Sequence, residues 1–250
     1  MTKKYAVLGS PISHSLSPTI HNFCFKQLGV DAEYTSHELS DGLAGFLSQL
    51  PDYQGFSVTM PLKDQAYQMS DELSELAKLT KSVNTLTNHD GQYKGHNTDV
   101  LGIRAAIDYS PASVAVLGSG ATARSALAAF PKSKKLIHAR NEIASQSLSE
   151  QFGAEVVTSK EAFEAEVLIS TLPKGVLVEL SGSNPKPNVL LDAVYTNPEI
   201  QCQRYVSGLE MLIHQAIFQQ RIFLFGDEDK PIKNEPELLE GLRKLLSVAK

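Results

Sequence analysis

The chain has 250 residues, of which 42% are hydrophobic and 20% charged, and this composition is that of a globular protein and not of a disordered one. Its net charge of −5 weighs against a protein that mainly binds nucleic acid, because such proteins are more often basic. Two isolated cysteines (Cys24 and Cys202), no spacing of metal ligands and no apolar run long enough for a signal peptide or a bilayer span predict a cytoplasmic protein without a metal or a membrane partner.

Strand-like and helix-like patterns alternate along the chain, which predicts an α/β fold with parallel sheets. The first strand is expected over Tyr5–Gly9, a short apolar run. Ser17 is then expected to cap a helix that has Pro18 at its first position. This helix should stop at Gly29, because glycine readily adopts the left-handed conformation that ends helices.

The next segment continues the alternation and then turns back on itself. Apolar residues at i, i+3, i+4 and i+7 predict a helix over Leu43–Leu50. Alternating apolar residues predict a strand over Phe56–Met60, and Pro61 is expected to open the helix that follows. Asn84–Asn97 is predicted to form a hairpin around residues 89–91, which include an Asp-Gly turn.

A second series of elements begins near Ser113 and predicts a second domain. Its strands are expected at Val114–Leu117, Leu136–Ala139, Val167–Thr171 and Val189–Tyr195. Two long amphipathic helices are predicted to close the chain. We therefore predict one domain of residues 1–101 plus 209–250 and another of residues 102–208.

A glycine turn follows the strand Val114–Leu117 and precedes a helix of small residues. It consists of Gly118, Ser119, Gly120, Ala121 and Thr122. The first glycine permits a tight turn, and the second lets the backbone approach a pyrophosphate whose charge the helix N-terminus stabilises. Because the turn lies between a strand and a helix, it predicts a dinucleotide-binding site; the alternative is a glycine turn without a ligand.

Arg140 follows the second strand of this series, where NAD-binding folds usually carry an acidic residue for the ribose 2′-hydroxyl. Arginine cannot accept a hydrogen bond from that hydroxyl, but it can clamp a 2′-phosphate. Arg140, with Asn141 beside it, therefore favours NADP over NAD. The alternative is a solvated surface arginine, and the neighbouring Glu142 weakens the preference.

Ser15 and Ser17 lie two residues apart at the predicted start of the first helix. Two hydroxyls and the N–H groups of a helix N-terminus can bind one carboxylate. The alternative assigns Ser17 to the helix cap and Ser15 to a turn, and spacing alone favours that alternative. His14 and His21 show no metal-ligand pattern, so we expect both to be structural.

Lys63 falls in the first turn of the helix expected after Pro61. The positive end of a helix and partial burial both disfavour the charged ammonium group, so both would make Lys63 a better acid/base group near neutral pH. Asp99, at the start of a further helix, could balance and orient this lysine. The alternative is an exposed lysine at a strand-to-helix junction, which would be the default for Lys63 alone.

Seven short motifs together resemble the signature blocks of the shikimate dehydrogenase family, in the same order and over Gly9–Ala216. They read GSPISHSLSPTIHN, SVTMPLK, SVNTL, GHNTD, GSGATA, LDAVYTNP and GLEMLIHQA. The resemblance implies an N-terminal α/β substrate domain, a Rossmann-type NADP-binding domain and C-terminal helices that pack back on the first domain. It also implies reversible, NADP-dependent reduction of 3-dehydroshikimate to shikimate. We expect this small molecule to be the partner of a monomer or homodimer.

The resemblance implies roles for individual residues as well. Lys63 matches the catalytic acid/base and Asp99 its partner, while Ser15 and Ser17 match ligands of the substrate carboxylate. The groups that hold ring hydroxyls or otherwise line the substrate pocket are matched by Thr59, Asn84, Asp99, Gln215 and Tyr195. The cofactor-binding groups are matched by Gly118, Ser119, Gly120, Ala121, Thr122, Arg140, Asn141 and Gly208.

The chain departs from the family pattern at several positions, and the family's usual Asn-Arg-Thr block reads Ala139-Arg140-Asn141 here. Ser57 stands where the family often has Asn, Ala121 where it often has Gly, and Ala144 where a second basic residue often follows. The last departure weakens the expected selectivity for NADP over NAD. Two alternatives therefore stay open, namely a quinate/shikimate dehydrogenase that prefers NAD and a non-catalytic paralogue that binds a metabolite.

Overall fold

The computed structural model describes residues 1–182, 185–194 and 200–248 and divides the chain into two compact units. The first unit comprises Met1–Thr98 and Ile213–Lys250, and the second comprises Asp99–Leu212. Both boundaries fall inside helices, Thr98–Ile107 and Gly208–Phe225. The chain therefore passes from one unit to the other along helical backbone.

The N-terminal part of the first unit alternates strands and helices around one sheet. Its elements are β1 (Lys3–Gly9), α1 (Ser17–Leu28), β2 (Ala32–Glu38), α2 (Leu43–Leu47), β3 (Tyr53–Val58), α3 (Lys63–Met69), β4 (Glu72–Leu73), α4 (Glu75–Thr80), β5 (Thr85–His89) and β6 (Gln92–His96). The strand order is β2-β1-β3-β5-β6-β4. β1 is parallel to β2 and β3, whereas β5 is antiparallel to β3 and β6, so this sheet is mixed.

The mixed sheet arises from the predicted hairpin, which the structure confirms. β5 and β6 are joined by Asp90 and Gly91, whose φ angles of 54° and 88° give the left-handed turn that a tight hairpin needs. The hairpin reverses the chain and places an antiparallel pair beside the parallel strands. It explains why this sheet is not wholly parallel.

β1 reads as an apolar run because both faces of the strand are covered. On one face Leu8 packs in a buried cluster with Leu62. On the other face Tyr5 packs with Phe25 of α1 and with Phe223. A fully buried side chain of this size stabilises the fold by roughly 1.5–3 kcal/mol, so the buried part of the strand, Tyr5–Gly9, is apolar.

The ends of α1 test the capping predictions. The helix ends as predicted at Gly29, which has a φ of 64°. The N-cap prediction is wrong, because the cap position is Leu16 and no side chain caps the helix there. The hydroxyl of Ser15 instead accepts a hydrogen bond from the N–H of Ser17 at 3.3 Å, and Ser17 is the first helical residue.

The second unit has a doubly wound arrangement of strands and helices. Its elements, with the two helices that follow, are α5 (Thr98–Ile107), β7 (Ser113–Leu117), α6 (Ala121–Ala129), β8 (Lys134–His138), α7 (Glu142–Phe152), β9 (Glu155–Val156), α8 (Ser159–Phe163), β10 (Val167–Ser170), α9 (Val176–Ser181), β11 (Val189–Asp192), β12 (Arg204–Ser207), α10 (Gly208–Phe225) and α11 (Glu235–Val248). All its strand pairs are parallel, in the order β12-β11-β10-β7-β8-β9.

This strand order is that of the Rossmann fold, and it reverses direction between β7 and β10. Ligands of open parallel sheets bind beyond the carboxyl ends of the strands at such a switch point. Gly118 follows β7 and Thr171 follows β10, so the predicted glycine turn lies at the place where the topology predicts a ligand. The predicted fold class of this unit is confirmed.

The C-terminal helices pack on the first unit, as predicted. α11 lies against α1, where a Cβ atom on Gly241 would meet the ring of Phe23 at 2.8 Å. Arg221 of α10 forms a two-pronged ion pair with Glu235 of α11, with N–O distances of 2.6 and 3.0 Å. Within the described ranges, no helix is long and apolar enough to cross a membrane.

Candidate functional site

The loops after β1 and β3 meet at one edge of the first sheet. Thr59 donates its N–H to the carbonyl oxygen of Leu8 at 2.9 Å, and Ser10 donates its N–H to that of Met60 at 2.9 Å. A Cβ atom on Gly9 would clash with the Thr59 side chain and approach the Met60 carbonyl oxygen to 2.8 Å. The glycine therefore allows the two loops, one leading to Ser15 and the other to α3, to run side by side.

Ser15 and Ser17 lie at the N-terminal end of α1. Ser17 is buried, and Ser15 is partly exposed. Because the Ser15 oxygen accepts the Ser17 N–H, its own O–H hydrogen can still be donated. Two hydroxyl donors beside the N–H groups of a twelve-residue helix suit a carboxylate.

Lys63 is the first residue of α3, two positions after Pro61, and it is half-buried. Its carbonyl oxygen accepts the N–H of Val83 at 3.2 Å, which ties the start of α3 to the segment that precedes Asn84. Asp99 lies in the first turn of α5, as predicted, and is buried. A half-buried lysine at a helix N-terminus is a suitable group for moving a proton.

Asn84 is the centre of a buried cluster of polar side chains. Its Nδ2 donates to Thr98 Oγ1 at 2.9 Å and to Gln215 Oε1 at 3.4 Å. Its Oδ1 accepts the Thr98 N–H at 2.9 Å and the Thr85 hydroxyl at 2.8 Å. The structure thus brings together two residues that the family resemblance assigned to one substrate pocket, Asn84 and Gln215, although 131 positions separate them.

Sequence reasoning missed Gln219, which extends this cluster towards α1 and β3. Its side chain is 1% exposed and bonds to the carbonyl oxygen of Asn84 and to Ser57. A signal was present in the sequence, since Gln215 and Gln219 are one helical turn apart and the three residues between them are apolar. Paired amides on one helix face, directed towards the core, indicate a polar network inside the fold.

The glycine turn of the second unit has a backbone that only glycine tolerates well. Gly118 has a φ of 113°, and a Cβ atom there would clash with Oγ1 of Thr171. Gly120 is the N-cap of α6, and a Cβ atom there would meet nothing within 4 Å. The N-terminus of α6 therefore opens onto space in which an anionic group could bind the backbone N–H groups of Ala121 and Thr122.

A cavity of about 280 Å³ lies beside this turn, within the second unit. Its lining includes Gly118, Ser119, Arg140, Asn141 and Thr171. Arg140 is exposed, and Asn141 uses its Oδ1 to cap α7 by accepting the N–H of Ala144 at 3.0 Å. The cavity, the open helix end and the arginine fit a dinucleotide that carries a 2′-phosphate.

Gly208 opens α10 beside the end of β11. A Cβ atom on it would approach the carbonyl oxygens of Asp192 and Ala193 to 2.6 and 2.8 Å, so this position needs glycine for its close packing. Tyr195, predicted to line the substrate pocket, lies outside the described residues. In the described part of the chain, no three His, Cys, Asp or Glu side chains are grouped as metal ligands would be.

Comparison with known proteins places these features in a family. Residues 7–86 match the family described as the shikimate dehydrogenase substrate binding domain. A shikimate dehydrogenase (NADP(+)) of Pyrococcus furiosus is 31% identical over an alignment of 250 positions, which covers 91% of this chain and 92% of that protein.

Solved structures of related proteins match the fold of this chain over nearly its whole length. Shikimate dehydrogenase of Mycobacterium tuberculosis has a TM-score of 0.86 at 32% identity and covers 98% of this chain and 99% of its own. Shikimate 5-dehydrogenase of Thermus thermophilus, in complex with NADP(H) and shikimate, has a TM-score of 0.82 at 26% identity and covers 97% and 99%. The resemblance found in the sequence is confirmed, and the chain belongs to the shikimate dehydrogenase family.

Proposed function

We propose that this protein catalyses the reversible, NADP-dependent reduction of 3-dehydroshikimate to shikimate. The observation that carries the proposal is the cavity beside the glycine turn, which Arg140 lines together with Gly118 and Ser119. The Thermus thermophilus relative is in complex with NADP(H) and shikimate, and the Pyrococcus furiosus relative is a dehydrogenase for NADP(+). Both support this cofactor and this substrate.

On the substrate side, we assign the binding role to the domain predicted over residues 1–101 and 209–250. Ser15 and Ser17 would bind the carboxylate through hydroxyl and N–H donors at the start of α1. The ring hydroxyls would be held by Thr59, Asn84, Asp99 and Gln215, with Tyr195 as a further pocket residue. Amide and hydroxyl groups that are already aligned lose little entropy on binding, so they favour one ring orientation.

On the cofactor side, we assign the binding role to the domain predicted over residues 102–208. The open N-terminus of α6, with its turn of Gly118–Thr122, would hold the diphosphate. Arg140 would pair with the 2′-phosphate, Asn141 would lie beside it, and Gly208 would border the nicotinamide. When bound, NADPH supplies the hydride that reduces the ketone carbon.

The remaining chemistry is a proton transfer. As the ketone carbon is reduced, negative charge develops on its oxygen, and Lys63 Nζ would donate a proton to it. In the oxidation direction the same nitrogen would take the proton back. Asp99 would orient the lysine and bind a substrate hydroxyl.

Two alternatives differ from this proposal in what they require. An NAD-preferring quinate/shikimate dehydrogenase would gain nothing from a basic residue in the cavity, and Arg140 argues against it. A non-catalytic paralogue would not need a lysine at the position of Lys63, which this chain has. Neither alternative is favoured.

Absorbance of the reduced nicotinamide measures the activity directly. Shikimate and quinate are each incubated with NADP and with NAD. The proposal predicts the highest kcat/KM for shikimate with NADP. Faster turnover with NAD would overturn the cofactor assignment, faster turnover of quinate would overturn the substrate, and no turnover in any combination would favour the paralogue.

Location and assembly stay predictions. We expect the protein in the cytoplasm, as a monomer or homodimer without a nucleic-acid or membrane partner. Light scattering after size-exclusion chromatography separates a 27.2 kDa monomer from a dimer of twice that mass.

A further inference from the structure

Both the oxygen and the nitrogen of the Gln219 amide form hydrogen bonds within the first unit. Its Oε1 accepts the hydroxyl of Ser57 at 2.8 Å and lies 3.0 Å from Nε2 of His21. Its Nε2 donates to the carbonyl oxygen of Asn84 at 3.1 Å and to Oγ1 of Thr85 at 2.9 Å. A single side chain thus connects α10 to α1, β3 and the start of β5.

The donor and acceptor directions in this network are determined by backbone groups that can only donate or only accept. The carbonyl oxygen of Asn84 can only accept, so the Gln219 atom that faces it must be the NH₂ group. The backbone N–H of Thr98 can only donate, so the Asn84 atom that faces it must be Oδ1. Nδ2 of Asn84 then donates to Gln215, which must present Oε1 to the network.

His21 supports the same direction from the other end. Burial lowers the pKa of His21 to about 3, so the ring is neutral at working pH. Its Nε2 must carry the hydrogen, because it faces the acceptor Oε1 of Gln219, and its Nδ1 then accepts from Gln220 at 2.9 Å. The ring also stacks on Tyr34, with centroids 4.3 Å apart.

Thr85 links the amide of Gln219 to that of Asn84. Its hydroxyl accepts from Gln219 Nε2 and donates to Asn84 Oδ1 at 2.8 Å. Because each hydroxyl has one hydrogen, accepting on one side directs its donation to the other. Gln219 therefore holds Asn84 at two points, directly at the backbone carbonyl oxygen and, through the Thr85 hydroxyl, at Oδ1.

We propose that Gln219 is a positioning residue, which holds Asn84 in place through its backbone carbonyl oxygen and through Thr85, and thereby fixes where the amides of Asn84 and Gln215 meet the substrate's ring hydroxyls. The proposal rests on the proposed function, since it takes these two residues as substrate ligands. An apolar side chain would fill the same place on α10 at lower desolvation cost. A buried amide that connects two predicted ligand residues suits the ordering of a site better than the filling of a core.

Replacing Gln219 with Leu removes the network's central amide at nearly constant size. The control is Gln220→Leu, because Gln220 is also fully buried on α10 and also bonds to His21, but has no bond to Asn84 or Thr85 among the described residues. Gln219→Leu leaves four partner groups without this amide, whereas Gln220→Leu deprives His21 of one bond and removes a buried Oε1 that has no partner in the described part of the chain, so Gln219→Leu should cost more stability. Only the Gln219 change should alter how the site recognises hydroxyls.

The readout is kcat/KM for shikimate divided by kcat/KM for analogues that lack the 4- or the 5-hydroxyl. For the hydroxyl that Asn84 and Gln215 bind, wild-type protein should discriminate by about 10-fold or more. Gln219→Leu should reduce that ratio by about 10-fold and raise the KM for shikimate, while the Kd for NADP stays constant. Gln220→Leu should leave the ratio at its wild-type value.

Unchanged discrimination in folded Gln219→Leu protein would overturn the proposal. A ratio that fell equally in both variants would do so too, because it would show a general loss of order. If Gln219→Leu does not fold, Thr85→Val removes the hydroxyl link at constant shape and should reduce the ratio in the same direction by a smaller factor. Absence of turnover by the wild type would instead overturn the proposed function itself.

Discussion

In the first unit, the amides of Asn84, Gln215 and Gln219 are buried and bond to one another or to shared neighbours, whereas in the second unit Arg140 is exposed beside a glycine turn. The candidate substrate site depends on side chains whose directions are set by many hydrogen bonds. The candidate cofactor site depends on backbone shape, on a helix N-terminus and on one charge.

This difference suits the two proposed ligands. Epimers and deoxy analogues of a small polyol differ in single hydroxyls, and only donors and acceptors held in fixed directions can separate them. A dinucleotide offers a diphosphate that backbone N–H groups can bind, and its 2′-phosphate distinguishes it from NAD by charge. We therefore expect changes in the first unit to alter substrate chemistry and changes in the second to alter cofactor affinity.

The largest effect should follow Lys63→Ala. Loss of a positioned acid/base group should lower kcat by about 10²–10⁴-fold. The backbone bond from Val83 to the carbonyl oxygen of residue 63 survives the change, so the protein should still fold. Steady-state kinetics measures kcat, and a fluorescence titration should show NADP binding close to that of the wild type.

Lys78→Ala is the matched control for this prediction. Lys78 is a surface lysine of α4 that pairs with Glu75 at 2.8 Å, and exposed pairs of this kind contribute little. Its kcat should equal the wild-type value. Near wild-type turnover by Lys63→Ala would contradict the acid/base assignment and would move the proton source to water or to another residue.

Gly118→Ala should have the next largest effect, and on cofactor affinity. The added methyl group would clash with Thr171, and a φ of 113° is strained for alanine. A shift of the turn that costs about 1.4–2.8 kcal/mol of binding free energy raises the Kd for NADP about 10- to 100-fold. Isothermal titration measures this Kd.

Gly153→Ala separates strain from the clash. Gly153 ends α7 with a φ of 63°, and a Cβ atom there would meet nothing within 4 Å. This variant should lose some stability but bind NADP with the wild-type Kd. Equal weakening in both variants would mean that the shape of the turn at Gly118 is not what binds the cofactor.

Local features of the sequence predicted much of this molecule. The left-handed residues Gly29 and Gly91 end a helix and turn a hairpin through their own backbone preferences, and the turn at Gly118 follows its strand directly. The N-cap at Ser17 was predicted wrongly because a second serine two residues earlier takes the role of acceptor.

The network around Gln219 could not be predicted in the same way. Its partners His21, Ser57 and Asn84 are 198, 162 and 135 positions away, so they become neighbours only when α10 packs on the sheet. Ser57 illustrates the limit, because it was noted in the sequence only as a departure from a family pattern. In the structure its hydroxyl accepts from Tyr34 and donates to Gln219.

Arg140→Ala should have a smaller effect than Gly118→Ala. A charge-assisted contact contributes about 1.5–3 kcal/mol, and without a second basic residue at position 144 we expect the lower end, about a 10-fold rise in the Kd for NADP. The Kd for NAD should hardly change, because NAD has no 2′-phosphate. Equal weakening of both cofactors would show damage to the cavity and would contradict the phosphate role.

The last effect, on stability and not on turnover or binding, concerns acid. Because burial lowers the pKa of His21 to about 3 from an ordinary 6.5, the unfolded chain binds a proton between these values that the folded chain excludes. Stability from this group is therefore complete above pH 6.5 and falls by about 1.4 kcal/mol per pH unit below it.

His21→Phe keeps a ring that can stack on Tyr34 but cannot titrate. Urea unfolding at pH 7.5 and pH 5 should show that the wild type loses about 2 kcal/mol more than the variant, since losses from carboxylates are common to both and cancel. Equal losses would mean that His21 is protonated in the folded protein. They would contradict the neutral ring, in which Nε2 donates to Gln219 and Nδ1 accepts from Gln220.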